Sequence, residues 1–334
     1  MSVNQNFFLD KDVSLLPIKN KKIAIIGYGN QGRAQALNLF DSKLNVRVGL
    51  KENSPSIKIA NTDGLKVLMI DEAVKWADIV CLLLPDKIMP DVYKDSIQDY
   101  LKKDQTLLFS HGYNIYYQKI TIKSNINVIM VAPSGGGHLV REEYVNGSGV
   151  PALIAVEQDY SGKSLEIAKA YSKAIGSTKV CSFLSSFKEE TETDIFGEQA
   201  ILTGGLPFLI NSAYNTLIKN GYDSTVAWFV CYYEVKTIVD LFYNKGFEEF
   251  YKLISDTARY GGQTRGGRLI SKDFEAQLLK ILDDIRSGSF NDELTNFQDN
   301  KKLPDSFNGL EKKTQEILSI IKDQTDENNN KWVW

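Results

Sequence analysis

The chain has 334 residues, 43% hydrophobic and 24% charged, with a formal net charge of -3. That length accommodates two or three domains and a sizeable core. The balanced charge leaves no basic stripe for nucleic acid. No apolar run approaches the ~18 residues of a membrane span, and the N-terminus lacks a basic-then-apolar signal pattern. The expectation is a soluble cytoplasmic protein with neither nucleic acid nor membrane as partner.

Short apolar or β-branched runs recur through the first half: KIAII (22–26), then 46–50, 79–84, 106–109, 128–131 and 152–156. Helical patterns separate them. This alternation predicts an α/β domain of the Rossmann type, doubly wound around a parallel sheet buried on both faces. The pattern changes after about Ser185, where apolar residues recur at helical spacing and strand-like runs disappear. The predicted boundaries are 1–184 for a nucleotide-binding domain and 185–325 for an all-α domain. Glycines at 204–205, 221, 246, 261–262 and 266–267 read as breaks between helices. The tail DQTDENNNK (323–331) is polar and reads as frayed.

Cys81, Cys181 and Cys231 are widely spaced and odd in number. They read as buried thiols in a reducing compartment, not as a disulfide framework or a zinc site. The two histidines, His111 and His138, are the only sources of imidazole chemistry.

Gly27-Tyr28-Gly29-Asn30-Gln31-Gly32 follows the first long strand and opens a helix. In that context a GxGxxG turn serves dinucleotide binding. The first glycine makes the turn, the second admits the pyrophosphate, and the third packs helix on strand. The helix N-terminus then offers N–H groups to the phosphates. The next strand, NVRVGL, ends without the acid that would hold a ribose 2′-OH. Lys51, Ser54 and Ser56 follow, a cation and two hydroxyls suited to a 2′-phosphate. NADP(H) is therefore favoured over NAD(H), although Glu52 leaves NAD(H) open.

Asp194 and Glu198 lie four apart, so in a helix both carboxylates share one face. Paired carboxylates suit a hard cation such as Mg²⁺. The alternative is a solvated acidic face, which is how Glu189, Glu190 and Glu192 read.

These segments together resemble ketol-acid reductoisomerases. GYGNQGRAQALNL (27–39), GLKENSPS (49–56), LLPD (83–86, with Pro85 near the cofactor), FSHGYNI (109–115), APSGGGHLVREEY (132–144) and GVPALIAV (149–156) are similar to the family's nucleotide domain. KEETETDIFGEQAILTGG (188–205), YYEVKTIVDL (232–241) and ISDTARYG (254–261) are similar to its helical domain. The resemblance runs from about residue 7 to residue 300 and fits the short class with one helical domain. It implies Mg²⁺-assisted alkyl migration in an acetohydroxy acid, then reduction of the 2-keto acid by NADPH. It further implies a homodimer of knotted helical domains with shared active sites. The branched-chain amino acid route is the family's pathway.

On this resemblance His111 lies near nicotinamide and substrate, Ser255 touches the substrate, Asp194 and Glu198 bind metal, and Glu234 is one of a second carboxylate pair. Two positions depart from the pattern. Val230 stands where the partner of Glu234 belongs, and a hydrocarbon cannot ligate a metal. Ser134 stands where the family carries lysine. Gly136 replaces a usual proline, Arg33 a common histidine and Arg259 a common acid. His138 reads as a support for the loop of Ser134. One Mg²⁺ is expected and a second doubtful. Both losses bear on alkyl migration more than on hydride transfer, so the leading expectation is a reductase of a 2-keto or 2-keto-3-hydroxy acid with a weakened or lost isomerase step. An authentic ketol-acid reductoisomerase and an inactive nucleotide-binding homologue are the alternatives.

Overall fold

In the computed structural model, residues 6–297 and 302–322 are described; the polar tail at 323–331 lies outside them. The chain divides into two compact units, with the division after Thr193. The first is built on nine strands: β1 (Phe7–Phe8), β2 (Lys22–Ile26), β3 (Asn45–Leu50), β4 (Lys66–Met69), β5 (Ile79–Leu82), β6 (Thr106–Phe109), β7 (Asn127–Pro133), β8 (Ala152–Gln158) and β9 (Ser182–Leu184). Their order in the sheet is β1-β9-β8-β7-β6-β5-β2-β3-β4. The helices of this unit are α1 (Asn30–Asp41), α2 (Ser56–Thr62), α3 (Ile70–Trp76), α4 (Met89–Ser96), α5 (Tyr113–Tyr116), α6 (Gly137–Val145) and α7 (Ser164–Ala174).

The six strands from β4 to β7 pair in parallel, as predicted. The pairing of β7 with β8 is antiparallel, and so is that of β1 with β9. This corrects the expectation of a parallel sheet throughout. A strand covered on both faces is an apolar run whichever way it points, so direction is not written in its composition. The alternating register of β2 shows the two faces. Ile23 and Ile25 join the cluster of Leu39, Ile167 and Tyr171, whereas Ala24 and Ile26 join that of Val74, Val92 and Tyr93. Helices therefore cover the sheet on both sides.

The chain steps from β2 to β3 on one side and returns to β5 on the other. Such a reversal opens a crevice at the carboxyl ends of the two central strands. The Gly27 turn follows β2 there, and Leu83-Leu84-Pro85 follows β5.

α8 (Phe187–Gly197) spans the division. The second unit is helical: a π-helical turn Glu198–Leu202, α9 (Gly205–Lys219), α10 (Ser224–Trp228), a second π-helical turn Phe229–Tyr233, α11 (Glu234–Leu253), α12 (Asp256–Leu269), α13 (Lys272–Ser287), α14 (Ser289–Asn296) and α15 (Asn308–Lys322). Its buried apolar cluster is small: Tyr214, Ala227, Trp228, Leu310 and Ile317. Trp228 Nε1 donates to Thr314 Oγ1 across 2.9 Å inside it. Gly246 breaks α11 with φ of 75°, as a helix punctuator should. Gly261, Gly262, Gly266 and Gly267 do not: all four lie inside α12. Interior glycines each cost a helix about 1 kcal/mol relative to alanine, yet they need not break it.

Gly27 has φ of +99°, and a Cβ there would stand 2.4 Å from the Leu83 carbonyl oxygen. Gly27→Ala is expected to destabilise the first unit by about 1–3 kcal/mol, read from the shift in its denaturant midpoint.

Candidate active site

The nucleotide turn is shaped as its sequence predicts. A Cβ on Gly32 would meet the Gly27 carbonyl oxygen at 2.4 Å, so turn and helix pack backbone to backbone. A Cβ on Gly29 would meet nothing within 4 Å. Gly29 and Asn30 are exposed, and no side chain caps α1. The turn is thus tight where it packs and open at the helix N-terminus, which fits a pyrophosphate approaching along the helix axis. Among the other sequence-predicted cofactor residues, Tyr28 is buried and its hydroxyl donates to Asp63 at 2.8 Å, making it a strut. Gln31 Nε2 donates to the Gly135 carbonyl at 2.8 Å. Pro85 is exposed, and its carbonyl accepts from Ile88 and Met89 at the start of α4.

Lys51 is exposed, while Ser54 and Ser56 are half-buried. Asn53, at φ of +63°, turns the chain between them. An open groove of about 820 Å³ is lined by Asn53, Ser54, Pro55, Ile57, Lys58, Asn61 and Thr62. Lys58 is the cation that lines this groove, and sequence reasoning missed it; its signal was its place four residues after Ser54. Arg33 is committed elsewhere. Its Nε and Nη2 donate to Asp63 at 2.7 and 2.9 Å. This pairing holds the Asp63 carboxyl below its usual range, and burial pushes the Tyr28 hydroxyl up. Arg33 thereby acts as a clamp that ties α1 to the end of α2.

His111 follows β6, and its Nδ1 lies 2.9 Å from Glu190 Oε1. The other carboxylate oxygen of Glu190 accepts from the Gly112 N–H at 2.8 Å. The contact needs glycine: a Cβ at 112 would stand 2.5 Å from Thr191 Oγ1. Glu190 is only 5% exposed and Glu192 only 6%. Glu192 accepts from Tyr116 OH at 2.6 Å. Reading these two as a solvated face was therefore wrong, although Glu189 is exposed. Helical spacing alone cannot tell which flank of an acidic helix meets a neighbour. Asp194 follows Glu190 by one turn of α8.

Asp194 and Glu198 are exposed on consecutive helical backbone, with Glu198 opening the first π-helical turn. Val230 lies in the second π-helical turn and Glu234 directly follows it. π-Helical turns are rare and cluster at functional sites. The oxygen donors of Asp194 and Glu198 suit a hard divalent ion, and Val230, 52% exposed, adds no donor. Ser255 is the N-cap of α12, its hydroxyl accepting from the Ala258 N–H at 3.2 Å. Arg259 pairs with Asp256 within that helix.

Ser134 is exposed in the loop after β7, and its N–H donates to the Pro151 carbonyl at 2.8 Å. His138 does not hold this loop. It faces solvent, 3.5 Å from Glu142 one turn on. The loop is instead held against α1, where a Cβ on Gly137 would stand 2.1 Å from the Asn30 carbonyl oxygen.

A switch-point crevice, a glycine turn on an uncapped helix, and a helical unit bearing paired carboxylates define a dinucleotide-dependent oxidoreductase. Residues 17–181 match the family description "Acetohydroxy acid isomeroreductase, NADPH-binding domain", and residues 187–323 match "Ketol-acid reductoisomerase, C-terminal domain". The chain belongs to the ketol-acid reductoisomerase family. It is 49% identical over 283 residues to "Ketol-acid reductoisomerase (NADP(+))" of Methanocaldococcus jannaschii, covering 85% of this chain and 86% of the relative. It is 47% identical to the protein so named in Chloroherpeton thalassium, covering 85% and 84%. Among solved structures it is similar to an NADH-preferring ketol-acid reductoisomerase from an uncultured archaeon, with TM-score 0.84 and 36% identity, covering 97% of this chain and 95% of that one.

Because the Asp63 carboxyl is depressed in the folded state, its contribution is present above about pH 4 and lost as pH falls through the folded value. Acid unfolding of Asp63→Asn is expected to lose this component while its stability at neutral pH drops. A variant with the acid sensitivity of the parent would contradict the pairing. Glu190→Gln is expected to cut turnover by about 10²-fold by unseating His111, with the melting temperature as a control on folding.

Proposed function

We propose that this chain is an NADPH-dependent, cytoplasmic reductase of a 2-keto or 2-keto-3-hydroxy acid whose alkyl-migration step is weakened or lost. The observation that carries the reading is the pair Ser134 and Val230. Each keeps its backbone place in a segment similar to the family, and each lacks the charge that the resemblance calls for. Bound NADPH would supply the hydride, and bound Mg²⁺ would polarise the carbonyl.

The chain's own residues supply the rest. Gly27, Gly29 and Gly32 let the pyrophosphate reach the N-terminus of α1. Lys51, Ser54, Ser56 and Lys58 would hold a 2′-phosphate, with the cations supplying charge and the hydroxyls direction. Glu190 holds Nδ1 of His111, so a proton moves to or from substrate at Nε2. Asp194 and Glu198 would hold one metal ion, and Glu234 would contribute without a carboxylate partner at position 230. Ser134 retains a hydroxyl donor toward developing negative charge. Ser255, already spent as an N-cap, presents the N-terminus of α12 to a substrate carboxylate.

The second reading, the complete isomeroreductase reaction, is favoured by the 49% identity to a named ketol-acid reductoisomerase. Purified protein with NADPH, Mg²⁺ and a panel of 2-keto acids separates the two. Reduction of a 2-keto acid with little turnover of 2-acetolactate supports the first, and brisk 2-acetolactate turnover overturns it. Under the first reading, Ser134→Lys combined with Val230→Glu raises 2-acetolactate turnover by about 10²-fold or more.

The protein also acts as a homodimer in this proposal. Neither α11 nor α12 contains a buried residue. Tyr243 is 83% exposed, and Phe247, Tyr260 and Leu269 are each 65% exposed. Apolar surface on this scale is characteristic of an interface, and a second copy is the occupant that the family resemblance implies. Light scattering at micromolar concentration is expected to give twice the 37.6 kDa chain mass or a multiple of it. A stable monomer would refute the dimer.

A further inference from the structure

Gln35 lies on the inward face of α1, fully buried. Its Nε2 donates twice, to Gln31 Oε1 at 3.0 Å and to Ser110 Oγ at 2.9 Å. Its Oε1 accepts from the Tyr171 hydroxyl at 2.9 Å. Tyr171 is fully buried beside Cys81, whose thiol burial pushes up to about 12. Gln31 in turn donates to the Gly135 carbonyl at 2.8 Å. The amide of Gln35 therefore stands at a fork. One branch ends on Ser110, the residue before His111. The other ends on Gly135, the residue after Ser134.

Nothing in a helix packed on a sheet requires this fork. Asn38, one turn along the same face and equally buried, makes as many bonds, and they are of a different kind. Its Nδ2 donates to the Val140 and Ile175 carbonyls at 3.1 and 3.0 Å, and Arg141 donates to its Oδ1 at 2.8 Å. Those partners fasten helix to helix. Gln35 instead bonds the loop after β6 directly, at Ser110, and the loop after β7 through Gln31, which holds Gly135.

We infer that Gln35 is a positioning residue: it joins the His111 loop and the Ser134 loop to the phosphate-binding helix, so that the three segments keep one relative placement. The satisfied amide sets both donors at a fixed angle, and a buried network of this sort holds a unique geometry because each lost bond strands its partner. The part of the inference that concerns turnover rests on the reductase reading above; the part that concerns loop order does not.

Two isosteric variants test it, Gln35→Met and Asn38→Leu. In Gln35→Met, backbone amide exchange is expected to speed up about tenfold or more in both 109–112 and 134–137. In Asn38→Leu, segment 109–112 keeps the parent rate even though the protein loses comparable thermal stability. Equal acceleration of 109–112 in both variants, or none in Gln35→Met, overturns the inference whether or not the enzyme turns over a keto acid. With a turned-over substrate in hand, Gln35→Met is expected to lower kcat about tenfold to a hundredfold. The NADPH dissociation constant should stay within about threefold, since the glycine turn itself is intact. Ser110→Ala added to Gln35→Met is expected to cost little more than either alone; full additivity would place the two residues in separate roles.

Discussion

The amino end of α1 is the constraint on which the nucleotide half of this molecule depends. Three backbones converge there with no room for a side chain between them. Gly27 lies against Leu83, Gly32 against Gly27, and Gly137 against Asn30, each at separations that a Cβ would violate. These approaches bring the ends of β2, β5 and β7 to one place. They also leave Gly29 open, so the place that excludes side chains inward admits a phosphate outward. Helix dipole, glycine turn and crevice act as one feature because the same packing creates all three.

Polar order is built outward from that point. Tyr28 and Arg33 reach Asp63 and fix α2, which lines the groove beside Ser54 and Lys58. Gln31 and Gln35 reach the loops after β6 and β7. Glu190 completes the frame from α8 by bonding the His111 ring and the Gly112 amide together. Removing charge at position 134 or 230 leaves this frame untouched, since neither side chain supports it. The architecture therefore does not depend on the side chains at these two positions, and fold and chemistry are separable here.

The helical unit follows a different logic. Its own buried cluster is small against the length of its helices, and α11 and α12 leave aromatic side chains facing outward. Such helices draw their stability from tertiary contacts more than from propensity, and α12 carries four interior glycines that lower its propensity further. Of the two π-helical turns, one begins at Glu198 and the other contains Val230 and ends just before Glu234. Their wider turns re-aim side chains at those positions, Val230 among them.

The sequence by itself determined the class of fold, the glycine turn, and the carboxylate spacing of Asp194 and Glu198. These are local features, carried by short-range periodicity and by residue types with narrow backbone roles. It also exposed Ser134 and Val230 as departures, because a motif is read position by position. Tertiary structure alone decided the direction of β8, the burial of Glu190 and Glu192, and the capture of Arg33 by Asp63 thirty residues away. It likewise moved His138 to solvent and gave Gln35 its partners at Ser110 and Tyr171. The physical reason is common to all of these. A side chain's partner across a sheet or between helices is set by packing at long sequence separation, and a charged or amide residue looks the same in the sequence whether it meets water or another buried polar group.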